Sequence, residues 1–151
     1  MTPPEPRVHT AAFADLDVAT LYALLRLRVD VFVVEQECAY PELDGRDVEP
    51  SALHCWIDDD DGPVAALRIL REPDGAARIG RVVTAPRARH QRLATALLRH
   101  ALTVTAPAPI VLGGQRHLED WYRSFGFEVD GPAYVEDGIP HVPMRLRRPG
   151  P

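Results

Sequence analysis

The apolar positions of this chain change period along its length, and the changes mark its elements. Val82, Val83 and Thr84 are β-branched and predict a strand, which Pro86 stops because it has no N–H for a ladder. Leu93, Ala94, Leu97, Leu98, Ala101 and Leu102 then follow at helical spacing, so Arg81 to His100 reads as strand, turn and amphipathic helix. Upstream, Val8 to Phe13 predicts a first strand. Val18, Leu21, Leu24, Leu25, Val29 and Phe32 give one apolar face of a helix that Asp15 or Asp17 caps and that ends near Val34. Arg26 and Arg28 fall off that stripe. Leu53 to Ile57, Val64 to Leu70 and Ala77 to Thr84 read as strands, separated by turns at Asp58 to Pro63 and at Glu72-Pro73-Asp74-Gly75. Three antiparallel strands followed by a helix predict an α+β sheet, not a doubly wound one.

Downstream, Ile110 to Leu112 predicts a short central strand parallel to the one at Val82, after which Gly113-Gly114 opens the backbone. His117 to Phe125 has a helical pattern, with Gly126 as its left-handed stop. Phe127 to Val129, Ala133 to Val135 and His141 to Leu146 predict closing strands around Asp137-Gly138.

Composition narrows the function classes. A chain of 151 residues predicts one domain, residues 1–151, able to bury a real core. A net charge of -5 argues against a nucleic-acid binder and is compatible with a cationic partner. No apolar signal core or membrane-length run occurs, so a cytoplasmic protein is expected. Two cysteines, Cys38 and Cys55, predict reduced thiols, not a disulfide. The proline-rich residues 1–7 read as loose chain.

The chemistry starts at the turn before the Leu93 helix. A helix start offers unpaired N–H groups and a positive dipole end, and Arg87, Arg89 and Arg92 surround it. That makes an anion site suited to a diphosphate; arginines simply solvated on an ordinary turn are the alternative. Glu35 to Pro50 is dense in carboxylates and reads mostly as a solvated loop, although Glu35 follows the apolar run Val31 to Val34 and begins near buried surface. The run Asp58 to Asp61 lacks the alternating spacing of a cation loop, and no metal is expected.

The order Val83-Thr84-Ala85-Pro86, Arg89-His90-Gln91-Arg92-Leu93-Ala94 and Ala96-Leu97-Leu98 resembles the acyl-CoA-binding motif of the GNAT superfamily of N-acetyltransferases, Gln/Arg-x-x-Gly-x-Gly/Ala. Arg89 and Ala94 match, and Arg92 stands at the usual first glycine, where a side chain calls for a right-handed backbone. Trp121-Tyr122-Arg123-Ser124-Phe125-Gly126-Phe127 resembles the superfamily's Phe-Tyr-x-x-x-Gly-Phe signature. Leu27 to Gln36, Asp44-Gly45, His54, Gly80-Arg81, Leu112 to Leu118 and Glu136 to His141 resemble the ElaA-like branch, which usually has glycine at position 90 and lysine at 92. The likeness runs from about residue 12 to 147.

The resemblance implies the GNAT acyl-CoA N-acyltransferase fold: a mixed, largely antiparallel sheet of about seven strands flanked by helices, with a V-shaped split between the fourth and fifth. It implies acetyl-CoA as cosubstrate and direct transfer to a primary amine of a small-molecule or protein acceptor. Backbone groups of Val82, Val83 and Thr84 would pair with the pantetheine arm, and Arg89, His90, Gln91, Arg92, Leu93, Ala94 and Thr95 would hold the diphosphate. Gln115 stands where an asparagine often bonds the pantetheine. Tyr122 matches the tyrosine that protonates the leaving sulfur, and the Val83 N–H is the expected oxyanion donor. Glu35 and His141 are the candidate bases, with His54 a third, and Asp44 and Asp47 are placed to attract an ammonium group. A non-catalytic acyl-CoA-binding or protein-interaction module, and a thioester hydrolase, are the competing classes. Exposed edge strands make a homodimer conceivable.

Overall fold

A computed structural model describes residues 5–148, so most of the proline-rich start falls outside the described residues. The strands are β1 (His9–Ala12), β2 (Leu53–Asp59), β3 (Gly62–Arg71), β4 (Ala77–Thr84), β5 (Ile110–Gln115), β6 (Glu128–Val129), β7 (Tyr134–Glu136) and β8 (Ile139–Leu146). The helices are α1 (Val18–Val29), α2 (Leu93–Thr105) and α3 (Glu119–Arg123). One sheet of eight strands runs in the order β1-β2-β3-β4-β5-β8-β6, with β7 pairing β8 off that path. All pairs are antiparallel except β4 with β5.

The β4–β5 junction positions everything else. Its parallel ladder has two pairs, Ala77 with Ile110 and Arg78 with Val111, and ends before Ile79. Past that point β4 stays on β3, and β5 pairs with β8 from Ile110–Leu146 to Gln115–His141. The predicted split therefore lies between β4 and β5. Behind it, Leu97, Leu98 and Ala101 of α2 pack fully buried against the sheet, as their spacing predicts. Asp137 and Gly138, at φ 52° and 80°, make the two-residue turn joining β7 to β8.

Three expectations need correction. The helical face of α1 is rotated from the predicted stripe: Leu24, Leu27, Arg28 and Val31 are buried, and Val18 is 83% exposed. Apolar residues lie on every side of this helix, so periodicity alone did not select the buried face. Regular α-helix ends at Val29, and a wider π turn carries Asp30–Glu35. The acidic loop is not merely solvated: Glu42 and Asp47 are buried, while Leu43 and Val48 face out. Gly113 and Gly114 do not open the backbone but lie inside β5. Side chains from two other elements fill the space their missing Cβ atoms leave. A Cβ on Gly113 would meet the Tyr134 hydroxyl, and one on Gly114 would lie 2.9 Å from the Tyr122 ring.

Candidate active site

A cleft of about 750 Å³ occupies the split. One wall is β4, through Ile79, Gly80, Val82 and Thr84, and the other is β5 with α3, through Leu112, Gly113, Gln115 and Tyr122. Val83 does not line it. Its side chain is buried in the core. Ala85 N–H bonds the Val64 carbonyl, and the register of Val83 against Ala66 keeps the same alternation, so the Val83 N–H turns toward β3. The backbone groups of Val82 and Thr84 face the open side, which corrects the expected oxyanion donor. A bulge causes this phasing: between the pairs Ala66–Val83 and Arg68–Gly80 the register shifts, and Arg81 adopts φ 54°.

The cleft's far end is the start of α2. Helix α2 has no side-chain cap and no acidic residue in its first turn, so its leading N–H groups are unpaired, and Leu93, Ala94 and Thr95 border the cleft. The entry loop takes the left-handed conformation twice, at His90 (φ 67°) and Arg92 (φ 60°). The right-handed backbone expected at Arg92 is therefore not found. The loop keeps the path that glycine would take most easily while carrying two side chains, and both border the cleft. Arg89 also borders it, but its guanidinium is already engaged. Nε donates to the Thr84 carbonyl (3.2 Å), and the terminal nitrogens donate to Glu35 (2.5 and 2.8 Å). Gln91 is exposed and outside the lining.

Glu35 is exposed, not set near buried surface, and it does not line the cleft. The hydrogen bond from Arg89 holds its carboxyl below the ordinary range, which makes it a poor base. His141 sits otherwise. Its Nδ1 lies 2.7 Å from the Ile139 carbonyl, which can only accept, so Nδ1 carries the proton and a neutral ring leaves Nε2 with its lone pair. The ring stacks on Tyr134 at 5.6 Å and borders the cleft opposite α2. Tyr122, 5% exposed, is wedged beside Trp121 (4.8 Å) and Phe127 (6.0 Å). Burial pushes its phenol up to about 12, so it holds its proton at neutral pH.

Asp44, Asp47 and His54 serve a different purpose from the one expected. Arg28 donates to Glu42 (2.7 Å) and by both terminal nitrogens to Asp47 (2.7 and 3.1 Å). Arg68 donates to Asp44 (2.6 and 2.9 Å) and to Asp47 (3.2 Å), and Arg81 donates to Glu42 (2.7 Å) and Asp44 (3.4 Å). Three guanidiniums thus meet three carboxylates, and their charges cancel. His54 Nε2 pairs with the Asp47 carbonyl (3.0 Å) in the same buried set, away from the cleft. Burial works to raise Asp47, but the hydrogen bonds from the arginines outweigh it and hold the carboxyl low; Asp44 is held low chiefly by Arg68. Neither is free for an incoming ammonium. Cys38 and Cys55 are free thiols.

A second cavity of about 330 Å³ adjoins the first and shares Gln36, Gly113, Gln115 and His141 with it. Asp44 and Arg81 reach its wall, as do Glu136 at the end of β7 and Asp137 of the β7–β8 turn. These two carboxylates were not singled out from the sequence, because a two-residue hairpin turn is read for its backbone.

A split sheet, an uncapped helix start at one end of the split and a tyrosine and histidine at the other define the acyl-CoA N-acyltransferase fold class. The family model for the acetyltransferase (GNAT) domain matches residues 26–148, and the chain belongs to that family. A UPF0039 protein of Mycobacterium tuberculosis is 46% identical over 140 residues, covering 90% of this chain and 88% of that protein. The crystal structure of an acyl-CoA N-acyltransferase from Pseudomonas aeruginosa superposes with a TM-score of 0.90 at 39% identity, covering 93% of this chain and 99% of that one. Escherichia coli ElaA does so with a TM-score of 0.88 at 36% identity, covering 94% and 99%.

Proposed function

We propose that this protein transfers an acetyl group from acetyl-CoA to a primary amine, directly, in a ternary complex. The observation that carries the reading is the cleft's polarity: unpaired helix amides with the Arg92 guanidinium and the His90 ring at one end, a proton acceptor and a proton donor at the other. The α2 amides, with Arg92 and His90, hold the diphosphate. Val82 and the Thr84 N–H present open-strand groups to the pantetheine arm, and Gln115 bonds it from the β5 side.

His141 Nε2 takes the proton from the attacking amine. As the new C–N bond forms, the Val82 N–H donates to the developing oxyanion. The C–S bond then breaks, and Tyr122 gives its phenolic proton to the departing sulfur. A raised phenol pKa does not defeat this step, because the same dry wall makes the thiolate more basic too.

The test is thiol release from acetyl-CoA against a panel of amines. Tyr122→Phe is expected to lower turnover by about 10²-fold or more while leaving coenzyme A affinity within a factor of about two. Full activity in that variant would remove Tyr122 as the acid. Thiol release without any amine would favour a hydrolase, and coenzyme A binding with no turnover would favour a binding module.

A further inference from the structure

We infer that the second cavity selects acceptors carrying a second positive charge, a diamine-type molecule whose far ammonium sits between Glu136 and Asp137. The inference rests on the acetyltransferase reading and adds to it the substrate class. His141, the base in that reading, lines this cavity as well as the cleft, so an acceptor that fills it lies against the same ring. Among the charged groups on its wall, Arg81 and Asp44 belong to the ionic cluster and neutralise each other there. Glu136 and Asp137 have no ion-pair partner among the described residues, so the field left in the cavity is that of two carboxylates.

The spacing favours one length of acceptor. In the β7–β8 ladder Tyr134 faces His141 and Glu136 faces Ile139, so all four side chains share one face of the ribbon. Glu136 and His141 are diagonal neighbours on that face, roughly 7–8 Å apart along the backbone, a span that a spacer of about four methylenes fits. The turn is also braced: the Cys38 thiol donates to the Asp137 carbonyl at 3.4 Å, tying the hairpin to the loop on the cavity's other side. A distal methyl would lose the charge contact, and a distal carboxylate would be repelled.

Three probes with the same four-carbon chain separate these cases: butane-1,4-diamine, n-butylamine and 4-aminobutyrate, assayed by thiol release at saturating acetyl-CoA. The diamine is expected to exceed butylamine in kcat/KM by about tenfold, the worth of two modest charge contacts, with 4-aminobutyrate slower than either. The double variant Glu136→Gln, Asp137→Asn is expected to bring the diamine-to-butylamine ratio within about twofold of one, with coenzyme A binding by calorimetry showing that it is folded. A ratio near one in the parent protein, or one the double variant leaves intact, overturns the inference while sparing the acetyltransferase reading. Turnover of none of the amines by protein that binds coenzyme A overturns both.

Discussion

Arg28→Met tests the buried ionic cluster directly. The arginine is 3% exposed and its side chain satisfies Glu42 and Asp47, themselves 3% and 6% exposed. Methionine keeps most of the volume and deletes the charge, leaving three carboxylates to two guanidiniums, with Glu42 held by Arg81 and Asp47 by Arg68. Burial alone would lower the Arg28 guanidinium's hold on its proton, and the bonds to Asp47 and Glu42 reverse that. Removing one partner of a buried ion pair costs about 3–5 kcal/mol, and here it leaves a net negative charge buried. At about 2–4 °C per kcal/mol for a chain of this size, Tm should fall by roughly 6–20 °C. Arg123 supplies the control. It lies 2.9 Å from Glu119, much the same distance as Arg28 from Glu42, but the Arg123 side chain is 47% exposed. Arg123→Ala should cost no more than about 0.5 kcal/mol. Calorimetric melting of both variants at neutral pH decides the matter. Equal losses would mean that burial adds nothing, and the assignment of the cluster as a structural keystone would fall.

Three further outcomes are expected. Gly114→Ala pushes a Cβ to within 3.0 Å of two ring atoms of the packed Tyr122; it should cost about 1–3 kcal/mol in denaturant melts and lower turnover more than coenzyme A affinity. Arg92→Gly relieves a left-handed residue; Tm should rise by a few degrees at most, while calorimetry should show coenzyme A binding several-fold weaker for the lost cation. Asp44 and Asp47 both titrate below their ordinary 3.8 in the folded chain. Their contribution to stability is therefore complete above about that pH and is lost as pH falls through the lower folded values, so Tm from this source should hold from pH 7 to 5 and drop steeply below 4.

The strand–turn–helix from Val82 to Ala101 was legible because its signals are local: β-branched residues, a proline, then apolar positions every third or fourth residue. Tyr122 and Gly126 were legible as a spaced motif. Glu42 and Asp47 were not, because what buries them lies elsewhere. Arg28 is 14 residues from Glu42 in sequence and Arg68 is 21 from Asp47, and no local pattern announces such a partnership. The same holds for Gly113 and Gly114, whose meaning comes from Tyr134 and Tyr122 lying against them. Arg92 misled for a different reason: the residue type argues against a left-handed backbone, and the turn into α2 requires one. At Val83 a single bulged residue, Arg81, reversed which amides face outward, and a bulge leaves no mark in hydrophobic alternation.

The two-rung contact between β4 and β5 also has a mechanical meaning. With only Ala77–Ile110 and Arg78–Val111 stitched, the molecule is two leaves bound along a short spine. A thioester arm lying in the gap would supply the missing rungs to both leaves at once. Amide exchange should then slow in concert at Val82 and Thr84 and along the facing strand when the gap is filled, so the guest would act as part of the sheet's own framework.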